Sequence, residues 1–214
     1  MPNTSNLNID LATMTPNEAL LKLKEGNFRF INNLNRNHDL LMQVLRTKEG
    51  QSPFAAIVSC MDSRTSAELI LDQGLGDIFS IRLAGNVISP NVLGSLEYAT
   101  AIVGSKLILV LGHTNCGAIK GACDHVELGN LTNLLREIQP AIDMETSITE
   151  DRTSLNKEFV EAVTYNHVIY TTEQIKIRSE VIRNLVDQSK VGIVPAIYDV
   201  ATGKINFIEE KAIF

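Results

Sequence analysis

The sequence predicts an α/β fold: a central, mostly parallel sheet of four parallel strands plus one antiparallel edge strand, flanked by helices and preceded by an N-terminal helical arm. Three observations carry that prediction. Short, continuously apolar runs alternate with segments of helical spacing, the pattern of strands buried on both faces. Two helical segments come before the first such run. Near the end, a turn over Asp199–Lys204 is followed by a short apolar stretch, which supplies an antiparallel hairpin.

Residues 1–14 are polar and read as a loose lead-in. Thr15 precedes Pro16 and has Glu18 three positions later, a capping box with proline at the first helical position. Leu20, Leu21, Leu23, Phe28, Phe30 and Ile31 continue that helix, and a shorter one covers Asp39–Thr47. Both precede any strand, so their apolar faces need an outer surface, such as a neighbouring subunit. The expectation is a single domain over 1–214, with residues 15–48 forming an arm that packs on a partner subunit.

Phe54–Ser59 (FAAIVS) is the first strand, and Ser66–Asp72 is helical. Ile78–Leu83 is the second strand, and proline opens a helix over Pro90–Val103. Lys106–Leu111 (KLILVL) is the clearest strand, with a helix over Ala118–Cys123 beyond it. The stretch 125–190 is mostly helical, best over Asn156–Asn166 and Thr172–Gln188. Val191–Tyr198 is the fourth strand and Ile205–Ile208 its hairpin partner. Pro195 removes a ladder donor from that fourth strand, so it belongs at a bulge or facing an edge.

Of the 214 residues 44% are hydrophobic and 21% charged, a globular balance. The net charge of -6, without a basic tract, argues against nucleic acid as a partner. The N-terminus lacks the basic and apolar regions of a signal peptide. The longest apolar run, Leu107–Leu111, falls far short of the roughly 20 residues of a membrane span. A cytoplasmic protein is the resulting expectation. Three cysteines, at 60, 116 and 123, do not suggest a disulfide framework in a chain of this length.

Cys60 directly follows the first predicted strand; His113 follows the third, and Cys116 comes three residues later. In an open parallel sheet, loops after the carboxyl ends of strands meet where the strand order reverses, so these three can converge. Two thiolates and one imidazole suit zinc, and three protein ligands leave a fourth position open. From spacing alone, the same residues read equally well as two core cysteines and a satisfied histidine. Cys123, within a predicted helix, reads as packing. Asp62 and Arg64 flank Ser63 just after Cys60. A carboxylate there can accept a hydrogen bond from a nucleophilic oxygen, and an arginine two residues on can clamp it. If released, Asp62 could take the open metal position itself.

These residues carry a family resemblance. CMDSR at 60–64 and GHTNCGAIKG at 112–121 resemble the two signature motifs of the beta-class carbonic anhydrases. EGNFRF at 25–30, IRLAGN at 81–86, GSLEYA at 94–99 and IYDVATGKI at 197–205 are similar to further landmarks of that family, in order. The resemblance implies a lyase that hydrates carbon dioxide reversibly to bicarbonate and a proton, with one Zn2+ per subunit held by Cys60, His113 and Cys116. Asp62 and Arg64 would be the catalytic dyad. Gln51 would bind substrate, often from across a dimer interface, and Phe79 and Tyr98 would line the same narrow pocket. A homodimer with exchanged N-terminal helices is implied, and a tetramer of two dimers as a larger form.

Some members of that family bind bicarbonate at a regulatory site built from a tryptophan, an arginine and a tyrosine. Arg82 and Tyr198 match the last two, but Ile57 stands in the tryptophan position and the chain has no tryptophan. Together with Gln51, this favours the constitutively open type; Arg82 alone is not evidence for regulation, since it reads at least as well as a structural residue. Pro195 replaces a residue that is usually glycine in similar sequences. His38, His125 and His167 are proton-carrier candidates on titration range alone, and surface or loop histidines on the plainer reading. The resemblance leaves two rival readings: hydrolysis of carbon disulfide or carbonyl sulfide at the same metal, and a noncatalytic bicarbonate sensor or zinc scaffold.

Overall fold

The computed structural model describes residues 11–214, so most of the predicted loose lead-in lies outside the described residues. Helix α1 (Pro16–Ile31) starts as its capping box dictates: Thr15 Oγ1 accepts from the Glu18 amide at 3.2 Å, and the Glu18 carboxylate accepts from the Thr15 amide at 2.7 Å. Helix α2 (Leu40–Thr47) is capped by Asp39, whose side chain accepts from the Met42 amide. The two helices differ in burial. α1 buries Ala19, Leu20, Leu23, Gly26 and Asn27, while α2 leaves Leu41 79% and Leu45 58% exposed.

Two residues fix α1 on the body of the protein. At Gly26 a Cβ would stand 1.8 Å from the Leu71 carbonyl oxygen, so the helix rests on bare backbone there. Asn27 donates Nδ2–H to the carbonyls of Ile70 (3.0 Å) and Gly203 (2.9 Å) and accepts from the Ile205 amide (2.9 Å). A buried amide with three partners avoids the cost of an unsatisfied polar group. Beyond α1, buried Asp72 accepts from Arg29, from the Arg36 amide and from His38 Nε2 at 3.0 Å, tying down the approach to α2.

The sheet has five strands: β1 (Ala55–Ser59), β2 (Ile78–Arg82), β3 (Leu107–His113), β4 (Gly192–Tyr198) and β5 (Ile205–Phe207). Their order is β2-β1-β3-β4-β5, with β5 antiparallel and the other pairings parallel. Consecutive residues of β1 serve opposite faces. Ile57 packs with Leu23, Leu109 and Tyr198; Val58 packs with Leu96, Val110 and Val168. Because both faces are covered, the strand reads as apolar without alternation. The chain leaves β1 for β2 on one side and then reaches β3 on the other. Strand order therefore reverses between β1 and β3.

Pro195 lies inside β4, opposite Val110. The Gly192 amide points at β3, to the Lys106 carbonyl, whereas the Ile193 amide points outward, to Ile213. By the two-residue period the Pro195 nitrogen also faces outward. It falls just short of the stretch Ala196–Tyr198 that pairs with β5, and its carbonyl accepts from Ile208. The missing N–H faces the edge, so no bond of the β3–β4 ladder is lost.

Several elements differ from the sequence expectation. The third strand, expected to end at Leu111, runs on to His113, which is its last residue. The segment predicted as one helix over Pro90–Val103 is α4 (Pro90–Glu97) followed by a π-turn over Tyr98–Val103, closed by Gly104 at φ 92°. Helices α3 (Ala67–Ile70), α5 (Gly117–Cys123), α6 (Gly129–Arg136) and α7 (Gln139–Met144) are short. The two runs predicted between 156 and 188 divide elsewhere. Helix α8 (Lys157–Arg178) is continuous through Asn166–Thr172, and the break falls at Ser179, which caps α9 (Glu180–Asp187). Among the described residues no helix is long and apolar enough to cross a membrane.

Candidate metal centre

Cys60 stands where β1 ends, on a loop held by its neighbours. Thr65 Oγ1 donates to the carbonyls of Cys60 (3.1 Å) and Asp62 (2.9 Å). Arg82, at the end of β2, donates to the same two carbonyls at 3.2 and 2.6 Å. Arg82 thus shapes the Cys60–Asp62 loop, which gives the predicted structural role a geometry. Ile57 and Tyr198, the other two positions compared with the regulatory site, are packed in the core.

His113 comes from the end of β3, in register with Tyr198. Its Nδ1 lies 2.9 Å from the Thr114 carbonyl oxygen. A carbonyl only accepts, so Nδ1 carries the hydrogen and Nε2 presents a bare lone pair. That Nε2 is buried and has no hydrogen-bond partner among the described residues. Asn115, at φ 56°, turns the chain back so that Cys116 becomes the N-cap of α5.

The three side chains converge. The sulfurs of Cys60 and Cys116 are 3.9 Å apart, and one ligand atom from each of Cys60, His113 and Cys116 lies within 4.8 Å of the others. All three residues are buried. Contact with Cys116 holds the Cys60 thiol well below its usual range, and the Gly85 amide, 3.4 Å from the sulfur, acts in the same direction while burial opposes both. The same contact, with burial, pushes Cys116 up. The contact thus favours a thiolate at one sulfur and a retained proton at the other. A cation that replaces it resolves the conflict, and the unpartnered imidazole nitrogen supplies the third donor. This donor set fits zinc. Cys123 is not one of the three converging residues; it packs in the apolar cluster behind them, with Ala122, Leu135 and Ile142, and burial pushes its thiol up to about 11.

Asp62 is gripped by Arg64, whose Nε and Nη2 donate to Oδ1 and Oδ2 at 2.9 and 2.8 Å while its amide donates to Oδ1 at 3.0 Å. These bonds hold the Asp62 carboxyl well below the usual carboxylate range, against the opposing effect of its partial burial. Asp62 is thus a fixed, ionised acceptor within the field of the buried cluster.

A family model described as carbonic anhydrase matches residues 55–205, which includes every member of this cluster. The chain belongs to the beta-class carbonic anhydrase family. It is 34% identical over 198 residues to a carbonic anhydrase of Mycolicibacterium smegmatis, covering 89% of this chain and 92% of that one. Its fold is shared by the Coccomyxa beta-carbonic anhydrase solved with acetazolamide (TM-score 0.69, 20% identity, 77% and 75% of the two chains). It is shared also by a tetrameric beta-carbonic anhydrase of Sordaria macrospora (TM-score 0.67, 24% identity, 90% and 97%). Members of this family are lyases.

The remaining carbonic anhydrase candidates lie elsewhere in the single chain. Phe79 and Tyr98 meet edge to face, ring centroids 6.2 Å apart, beside a depression of about 450 Å³ also lined by Pro90, Asn91 and Ser95. Phe79 is in register with Ala56, four residues before Cys60, or roughly 13 Å down the strand. Gln51 is exposed and precedes β1, at the end of that strand remote from Cys60. Sequence reasoning missed or misplaced two residues near the candidate ligands. One is Gly85, whose only signal was a glycine in IRLAGN. The other is His167, which is neither on the surface nor in a loop but fully buried in α8, among apolar neighbours that could have revealed it.

Proposed function

We propose that this protein holds one zinc ion per subunit through Cys60, His113 and Cys116 and catalyses the reversible hydration of carbon dioxide to bicarbonate and a proton. The observation that carries this reading is the convergence of buried Cys60, Cys116 and His113, with the two sulfurs 3.9 Å apart and an imidazole Nε2 that has no hydrogen-bond partner among the described residues. When bound, zinc supplies a Lewis acid that brings the pKa of water to around 7.

The protein's own groups do the rest. Asp62 can only accept, so it accepts a hydrogen bond from the attacking water or hydroxide and turns an oxygen lone pair toward the carbon. Arg64 occupies both Asp62 oxygens, which orients the carboxylate and keeps it from ligating the cation itself. Preorganised groups of this kind lower the barrier because they need no rearrangement as charge develops.

Gln51, Phe79 and Tyr98 complete the pocket from a second copy of the chain. Gln51 donates to bicarbonate, and the two rings give carbon dioxide an apolar wall. Support for this comes from their separation from Cys60 within one chain and from the exposure of Gln51 and Tyr98. The arm over residues 15–48 contributes to that assembly through exposed Leu41, Val44 and Leu45, giving a homodimer that can pair into a tetramer. The deciding experiment is stopped-flow hydration of carbon dioxide with matched metal analysis. Activity should follow zinc content; zinc-loaded protein without hydration activity would overturn the proposal.

A further inference from the structure

His167 is 2% exposed, at the middle of α8, and its Nε2 lies 2.8 Å from the Gly85 carbonyl oxygen. The carbonyl is an acceptor, so Nε2 carries the hydrogen. Nδ1 is left as a buried lone pair with no partner among the described residues. Such a group costs stability that an apolar side chain in the same helix would not. The hydrogen bond reaches across 82 positions of sequence to a three-residue turn, Ala84–Asn86. In that turn Gly85 adopts φ 65°, and a Cβ there would meet Ala118 and Ile138 at 3.0 Å. This conformation aims the Gly85 amide at the Cys60 sulfur, 3.4 Å away. One residue is thus held at both ends, its carbonyl by His167 and its amide by Cys60.

We propose that His167 is a positioning residue for the metal centre: by fixing the Gly85 carbonyl it keeps the Gly85 amide on the Cys60 sulfur, which weakens that sulfur as an electron donor and leaves the bound cation a stronger Lewis acid. Hydrogen bonds to ligand sulfurs are a general means by which proteins tune a metal. Burial also lowers the His167 pKa to about 4, so the imidazole keeps its neutral, single-donor form at neutral pH. The same burial makes it unsuited to carry protons to solvent. His167 touches no reacting atom; it acts through Gly85.

The inference rests on the zinc reading above, and its test separates the two. Cobalt(II) replaces zinc in wild-type protein, H167L and H167Q, and the sulfur-to-cobalt charge-transfer band is recorded beside near-ultraviolet circular dichroism. H167L should take up cobalt with the band moved to longer wavelength, because a sulfur without its hydrogen bond gives up an electron more readily. H167Q, which can still donate an N–H to the Gly85 carbonyl, should restore the wild-type band. The pH midpoint of turnover should rise in H167L and return in H167Q. A folded H167L with the wild-type band and midpoint overturns the proposal. Wild-type protein that takes up no cobalt overturns the zinc reading instead. Should H167L not fold, the imidazole 15N spectrum of the wild-type protein decides: a neutral ring protonated at Nε2 supports the proposal, and one protonated at Nδ1 refutes it.

Discussion

Arg64 holds both oxygens of Asp62, with Nε 2.9 Å from Oδ1 and Nη2 2.8 Å from Oδ2. The pair is local in sequence, half-exposed on the arginine side, and fixed from below by Thr65 and Arg82. Its value lies in geometry, because an exposed ion pair contributes little to stability. Asp62→Asn keeps the shape and removes the ionised acceptor. It should leave metal content unchanged and slow carbon dioxide hydration by about 100-fold or more. Stopped-flow rates normalised to bound metal measure this, and undiminished turnover would remove Asp62 from the mechanism.

His113→Ala removes the candidate ligand whose donor atom has no hydrogen-bond partner among the described residues. Metal analysis after gel filtration should fall from about one ion per chain to a small fraction of that, since two cysteines alone make a poor zinc site. Full occupancy would show that His113 is not a ligand.

Gln51 and His113 lie at opposite ends of the sheet in one chain. If the pocket is shared between copies, Gln51→Ala and His113→Ala each weaken a different half of it. Subunits of the two variants, unfolded together and refolded as a mixture, should recover on the order of a quarter of wild-type activity, because mixed dimers then contain one intact pocket. No recovery above the sum of the separate variants would place Gln51 outside a shared site.

His167 makes stability depend on pH in a defined window. Its folded-state pKa is lowered from 6.5 to about 4 by burial. Above the unfolded value both states are neutral and the group contributes no slope. Between 6.5 and about 4 the unfolded chain binds a proton that the folded chain does not, so stability falls as the solution is acidified. The loss amounts to roughly 1.4 kcal/mol per unit and about 3 kcal/mol across the window. Urea denaturation of wild-type protein and H167Q at several pH values isolates the effect. Equal slopes for the two proteins between pH 6.5 and 5 would contradict it.

How much of this was readable from residues alone depended on whether the signal was local. The Thr15–Glu18 box, the proline starts and the apolar strands are set by neighbours in sequence, and they appear where expected to within a residue or two. Placing Cys60 and His113 at strand ends was enough to bring them together, because the order of a parallel sheet does the converging. Helix α8 was harder. Asn166–Thr172 (NHVIYTT) is rich in β-branched residues with weak helix preference, yet it stays helical because it packs on β3 and β4. The break after Arg178 follows from Ser179, which caps α9 while its hydroxyl donates to Glu97 at 2.6 Å. The depth of His167 was hinted at by its apolar neighbours, but the aim of the Gly85 amide is wholly tertiary, and no spacing rule marks it.

Gly26 has a consequence at a distance. Because a Cβ there would stand 1.8 Å from the Leu71 oxygen, any side chain must lift α1 off its seat. The helix would then have to tilt about its seat on Leu71, in its second half. A tilt introduced at that pivot grows along the last turn and carries into the following segment with its exposed leucines. The bearing of that greasy surface is therefore governed from a position that never touches it, by the size of a hydrogen atom.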